Sequence, residues 1–207
     1  MSILIYRNSE NQVYKIPIKR FEQHIGIKYL NSLFFEKEAY KTKIIQKADK
    51  YLKRSNLKKM NSWTLALHKM AMEQPKEDLF YIRWINTYLG YGVFAAQDIP
   101  ALCYIGEYIG IIRKRRFRKD RFNDYIFGYV VAGRNTSYVI DAKEQGNFTR
   151  FINHNGVHPN LTSRWVIKNR ITHIIFFANK LILKDQQLTY DYGEYYWRSR
   201  TFPSPID

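Results

Sequence analysis

The sequence predicts an α+β protein with a basic, mainly helical first part and a second part built of short strands. Three observations carry this. From Asn31 to Met72, the residues Leu33, Phe34, Ala39, Ile44, Ile45, Ala48, Leu52 and Leu57 recur at roughly helical spacing, with lysines between them. After Pro75 the pattern changes to short β-type runs broken by glycine and turn residues. The composition, 45% hydrophobic and 16% aromatic, suits a packed core and not a disordered chain.

Residues 1–78 carry 16 Lys and Arg against 8 Asp and Glu. A second helix is expected to start near Ser62 as its N-cap, run through Trp63, Leu65, Leu67, Met70 and Met72, and stop at Pro75. This region reads either as a solvated helical hairpin packed on the next domain or as a DNA-binding or dimerising arm. Strands are expected at Phe80–Ile85, Gly92–Ala95, Cys103–Ile112, Tyr125–Val131, Ser137–Ile140, Trp165–Lys168 and Ile171–Ala178. Residues 113–121 hold seven basic positions in nine. The run suits a nuclear-import signal, a phosphate-binding stripe, or one face of a short solvated helix.

The 207 residues contain 34 Lys and Arg against 18 Asp and Glu, a net charge of +16. A charge this large favours contact with something acidic without naming it. The single cysteine, Cys103, excludes an intramolecular disulfide and a multi-cysteine zinc site. No apolar run reaches the roughly 18 residues of a spanning helix, and no secretory signal is visible. An intracellular workplace is therefore expected, with no membrane partner.

Four segments carry chemistry. Gly90-Tyr91-Gly92 offers backbone that a ligand can approach closely. It is not a dinucleotide fingerprint, since the third glycine and the following helix are missing. Gly106-Glu107-Tyr108-Ile109-Gly110 lies in a strand-like run. Arg150-Phe151-Ile152-Asn153-His154 precedes a natural tight turn at Asn155-Gly156. Leu188-Thr189-Tyr190-Asp191-Tyr192-Gly193 places two tyrosines two residues apart, which on a strand puts both phenols on one face.

In order and spacing these four segments resemble the SET-domain family of protein lysine methyltransferases, over roughly residues 80–197. The resemblance implies a mostly β SET domain over 79–193, of short strands in small sheets with a knot-like C-terminal segment. A helical region, 1–78, precedes it and a lid or tail, 194–207, follows. It implies S-adenosylmethionine as cofactor, S-adenosylhomocysteine as product, and no metal. Gly90, Tyr91 and Gly92 would contact the methionine end through backbone, with Tyr125 beside the cofactor. Asn153 and His154 would hold its adenine and amino-acid ends. Arg150 would support that loop, and Trp197 would close over the adenine. Tyr192 matches the catalytic tyrosine and Tyr108 a second one lining the lysine channel. Tyr190 stands where the family carries Phe or Tyr, and the tyrosine implies mainly monomethyl-lysine as product. The substrate would be a histone or histone-like protein, with DNA or chromatin contacted through residues 113–121. A homodimer through the N-terminal helices is a further expectation.

The loop Asn153–Asn160 is one residue longer than the family's usual Asn-His-Ser-Cys-x-Pro-Asn and lacks its Ser and Cys. The cysteine-rich flanking modules of many members are also missing. This compact form resembles SET proteins of chlamydia-type bacteria that live inside eukaryotic cells. It would act in the bacterial cytoplasm or, as a secreted effector, in the host nucleus. The competing expectation is a non-enzymatic chromatin or nucleic-acid adaptor on a degenerate SET scaffold.

Overall fold

The computed structural model describes residues 2–7, 12–53, 55–76, 78–131, 133–198 and 200. In chain order the elements begin with strands β1 (Ser2–Arg7) and β2 (Gln12–Pro17), helix α1 (Ile18–Ile25), and strands β3 (Lys28–Tyr29) and β4 (Phe34–Phe35). Helices α2 (Glu38–Leu52) and α3 (Ser55–Glu73) come next, then strands β5 (Phe80–Asn86), β6 (Gly90–Ala95), β7 (Tyr104–Glu107) and β8 (Ile111–Lys114). Helix α4 (Phe117–Asp120) leads to β9 (Ile126–Val131), β10 (Arg134–Asp141), β11 (Gln145–Gly146), a 3-10 turn (Phe148–Phe151) and β12 (Asn153–His154). The chain continues through β13 (Leu161–Lys168), β14 (Ile171–Ala178), β15 (Thr189–Tyr190) and helix α5 (Glu194–Trp197).

The strands form small sheets, in the orders β2-β1-β5-β6, β4-β8-β10-β9 and β13-β14-β7, with two-stranded pairs β11-β3 and β12-β15. The core lies between them, where Ile82, Val93, Ile112, Ile140, Ile175, Phe176 and Leu188 are fully buried. Among the described residues no helix is long and apolar enough to cross a membrane.

The expected strands are present, with one change. The run Cys103–Ile112 is two strands, β7 and β8, broken around Gly110. A Cβ on Gly110 would stand 2.5 Å from the Asp141 carbonyl oxygen, so only glycine lets the chain cross β10 here.

Among the described residues, the first 78 hold the two helices that their periodicity suggests, α2 and α3, together with helix α1 and four strands that it does not. These strands join later sheets: β1 pairs in parallel with β5, β3 with β11, and β4 with β8. Helix α2 buries Ile44 and Ala48, four residues apart, and leaves its lysines outside.

Ser62 is not an N-cap. Helix α3 already runs from Ser55, and the Ser62 hydroxyl donates back to the Lys58 carbonyl within it. The face that α3 buries is polar: Asn61, Thr64 and His68. Asn61 donates to the Ile167 carbonyl at 2.9 Å and accepts from the Ile167 N–H at 2.6 Å, filling a backbone pair on β13. His68 stacks on Phe177, and burial lowers its pKa, so it stays neutral. The apolar residues Met60, Trp63, Leu67 and Met70 face outwards.

Candidate active site

The site forms where β6, β12 and β15 meet. Strand β15 pairs in parallel with β12, matching Asn153 to Thr189 and His154 to Tyr190. On its other side the chain before β15 bonds to β6, with Leu188 N–H donating to the Val93 carbonyl. Asn160 fastens the same crossing: its side chain donates to Gln187 O at 2.8 Å and accepts from Thr189 N–H at 2.8 Å. The lengthened loop between them is closed by the Asn155 side chain, which accepts from the N–H groups of Val157 and His158.

The Asn153 amide donates to the Tyr91 carbonyl at 3.2 Å, which ties the Gly90-Tyr91-Gly92 strand to β12. His154 Nδ1 accepts the Tyr192 N–H at 3.1 Å, which places the ring proton on Nε2. Burial lowers the His154 pKa, against the opposing pull of Asp191, and keeps the ring neutral. Trp197 lies 4.7 Å from the His154 ring and is nearly parallel to Tyr192. Gly193, at φ +80°, makes the turn from Tyr192 into α5 that carries Trp197 there.

A second wall is aromatic. The Tyr192 hydroxyl donates to the Ile152 carbonyl and the Tyr108 hydroxyl to the Tyr125 carbonyl, both at 2.9 Å. The Tyr190 ring packs against Tyr192 at 4.7 Å, Phe176 at 4.8 Å and Phe127 at 6.3 Å. Phe127 in turn packs against Tyr108 at 5.2 Å. The two tyrosines of β15 and its exit therefore share one cluster, as their spacing suggests. Burial pushes the phenols of Tyr108, Tyr190 and Tyr192 well above their ordinary pKa, so all three stay protonated.

Arg150 lies beneath this site. Its guanidinium stacks 3.6 Å from the Tyr125 ring and donates to the carbonyls of Ala142 and Lys143. It props Tyr125 and the turn into β12.

The sequence reading missed Phe127, Phe176, Asp124 and Arg200, and placed Tyr196 only in the tail expected to form a lid. Phe127 had a signal, since it stands two residues after Tyr125 in the expected strand Tyr125–Val131, the spacing of one strand face. Arg200 had none. It donates to Asp124 at 3.1 Å, to Asn123 O at 2.9 Å and to Tyr196 O at 3.1 Å, and lies over the Tyr196 ring. The Tyr196 hydroxyl also reaches Asp124. These contacts latch α5 in place, while residues 199 and 201–207 of the tail expected to form a lid lie outside the described residues. Arg200→Ala should release the latch. Hydrogen exchange at amides 194–198 is expected to accelerate about tenfold or more, as loss of a charged hydrogen bond of ~1.5–3 kcal/mol implies. Unchanged exchange would show that α5 holds without it.

The SET domain family model matches residues 90–193, half of the 207-residue chain. The chain belongs to the SET-domain family. All four segments of the site lie within or beside that SET match. The chain is 35% identical over 113 residues to "Histone-lysine N-methyltransferase EHMT1" of Mus musculus, covering 53% of this chain and 9% of that protein. It is 34% identical over 109 residues to "Histone-lysine N-methyltransferase SETD2" of Homo sapiens, covering 50% of this chain and 4% of that protein. A solved SET structure, Arabidopsis thaliana SUVH6 in complex with SAM, superposes with a TM-score of 0.50 at 29% identity, covering 59% of this chain and 29% of that one. The chain therefore spans less than a third of each relative's length.

Proposed function

We propose that this SET-domain protein transfers a methyl group from S-adenosylmethionine to a lysine of a histone or histone-like protein. The observation that carries the reading is the aromatic cluster of Tyr108, Phe127, Phe176, Tyr190 and Tyr192 directly beside the Gly90–Gly92, Asn153 and His154 cradle. The cradle fits the cofactor's chemistry. A Cβ on Gly92 would stand 2.7 Å from Ile85 and 2.9 Å from the Gln187 amide, so glycine is what lets these side chains close on β6 beside Tyr91. His154 and Trp197 supply flat faces suited to a purine.

When bound, S-adenosylmethionine supplies an electrophilic methyl on a cationic sulfur. The chain's own part is to deliver and align a neutral amine. Free lysine has a pKa near 10.4, and a channel walled by aromatic rings disfavours its ammonium form. The protonated phenols are not bases at neutral pH. Their task is positional: rigid rings confine the amine, and hydroxyl and carbonyl oxygens around the methyl accept weak C–H···O contacts of roughly 0.5–1 kcal/mol.

Tyr190 supports a bias towards one methyl, because a phenol in the cluster can hold water where a methylated amine must turn. Tyr190→Phe is expected to shift the product towards di- and trimethyl-lysine in a mass spectrum of the modified histone; an unchanged profile would reject the idea. The exposed basic members of the 113–121 run, Lys114, Arg115, Arg118, Lys119 and Arg121, with Arg116 paired to Glu36, support a DNA contact near the substrate, whereas Arg113 is withdrawn into buried ion pairs.

Two measurements test the reading together: calorimetric binding of S-adenosylhomocysteine, and labelled-methyl transfer to core histones. Absence of ligand binding would favour a scaffold without catalysis.

A further inference from the structure

Helix α2 and strands β8 and β10 enclose a groove of about 430 Å³ away from the aromatic cluster, lined by Lys43, Gln46, Lys47, Lys50, Lys114, Ser137 and Tyr138. Its cations come from both walls. Positions 43, 46, 47 and 50 fall on one face of α2 by their helical spacing. Lys114 sits across the β8–β10 ladder from Tyr138, and that tyrosine, 3% exposed and packed on Tyr40, forms the floor.

No described carboxylate neutralises these four lysines. The nearby acids are engaged elsewhere: Glu38 with Lys41, Asp49 with Arg170, and Glu36 with Arg116. Lys43 and Lys47 stand four residues apart and Lys47 and Lys50 three, spacings at which like charges repel and destabilise a helix. An anion in the groove would offset that repulsion.

We infer that this groove binds the phosphate backbone of duplex DNA, without reading its sequence. The cations form a row and not a convergent nest. From Lys43 to Lys50 the helix rises about 10 Å at ~1.5 Å per residue. Duplex DNA presents one phosphate per ~3.4 Å of axis on each strand, so the row faces about three of them. Ser137 and Gln46 add neutral hydrogen-bonding groups of the kind that fix phosphates. A bilayer is a poorer match, because the site is concave and its lining exposes no large apolar residue to insert. The inference does not depend on methyl transfer and goes beyond the 113–121 run, sharing only Lys114 with it.

The test uses the full chain and a fluorescein-labelled 20-base-pair duplex, with anisotropy followed from low to moderate salt. The triple variant Lys43→Gln, Lys47→Gln, Lys50→Gln keeps helix-favouring residues. It is expected to bind roughly tenfold or more weakly, and its slope of log affinity against log salt should fall by about 2.7, or ~0.9 per lost contact. Lys114→Gln alone, on the opposite wall, should lower the slope by about 1. It keeps the test valid if the triple variant does not fold. Equal affinity and slope in these variants would overturn the proposal. So would dependence on Arg118, Lys119 and Arg121 alone. Tripolyphosphate and phosphatidylserine vesicles separate other anions: loss of binding to either, with DNA binding intact, would also overturn it.

Discussion

Tyr192→Phe is expected to lower methyl transfer by about two to three orders of magnitude while leaving the fold and cofactor affinity nearly unchanged. The hydroxyl is removed from the point where three parts of the site meet. It donates to the Ile152 carbonyl, one residue before the Asn153-His154 strand, while the ring contacts Tyr190, His154 and Tyr196. Phenylalanine keeps those ring contacts, so packing survives. What goes is the oxygen proposed to help place the methyl and the bond to the Ile152 carbonyl that fixes the ring's tilt. Loss in kcat with little change in cofactor binding marks an interaction made mainly in the transition state. A variant within threefold of wild type would show that Tyr192 only lines the channel.

The second large effect concerns stability. Arg113 lies beneath the basic run and is 5% exposed. It donates to Asp120 through both terminal nitrogens and to Asp141 through Nε. Arg113→Ala strands the Asp120 carboxylate in the interior, a change that costs about 3–5 kcal/mol. Thermal unfolding should move down by roughly 10 °C for a domain of this size. A fall under about 2 °C would mean that water reaches Asp120. Substituting Asp120→Asn in the Arg113→Met background should restore part of the loss, because the buried charge is then gone.

The same pair predicts a pH dependence. Burial pushes the Asp120 carboxyl up, but the Arg113 hydrogen bond and the Arg116 N–H outweigh it and hold the pKa below the ordinary 3.8. A depressed carboxylate contributes stability above its unfolded pKa and loses it as pH falls through the folded value. In Arg113→Ala burial dominates and the sign reverses, so protonation relieves the variant. The stability gap between the two proteins should therefore narrow from pH 7 towards pH 4. A constant gap would exclude Asp120 as the group responsible.

These residues also show what the sequence made legible. The strands after Pro75 announce themselves through alternation and turn residues, and the tyrosines of the fourth segment through their period of two. The family's four segments place Asn153, His154, Tyr108 and Tyr192 around one site, and the fold brings them together there. Arg113, in contrast, reads as one more charge in a solvated run. Its withdrawal follows from Asp120 and Asp141 meeting it from two other elements. Ser2–Arg7 and Gln12–Pro17 are short and ambiguous alone, and pairing with β5, over sixty residues on, makes a sheet of them. Helix α3 misleads most. Its hydrophobic period belongs to an exposed stripe, while docking depends on Asn61 filling a backbone pair 106 residues away, for which no local pattern exists.

The parallel pairing of β12 with β15 governs when the protein becomes competent. Parallel neighbours cannot be joined by a local turn, so the intervening chain must close before Asn153 finds Thr189. Its closure entropy precedes any reward from the pairing. Intermediates that already hold β6 and β12 carry the parts of the pocket without the pocket itself. Ligand recognition should thus arise late and in one step of folding, and a chain ended before Gln187 should be partly folded and blind to its ligand.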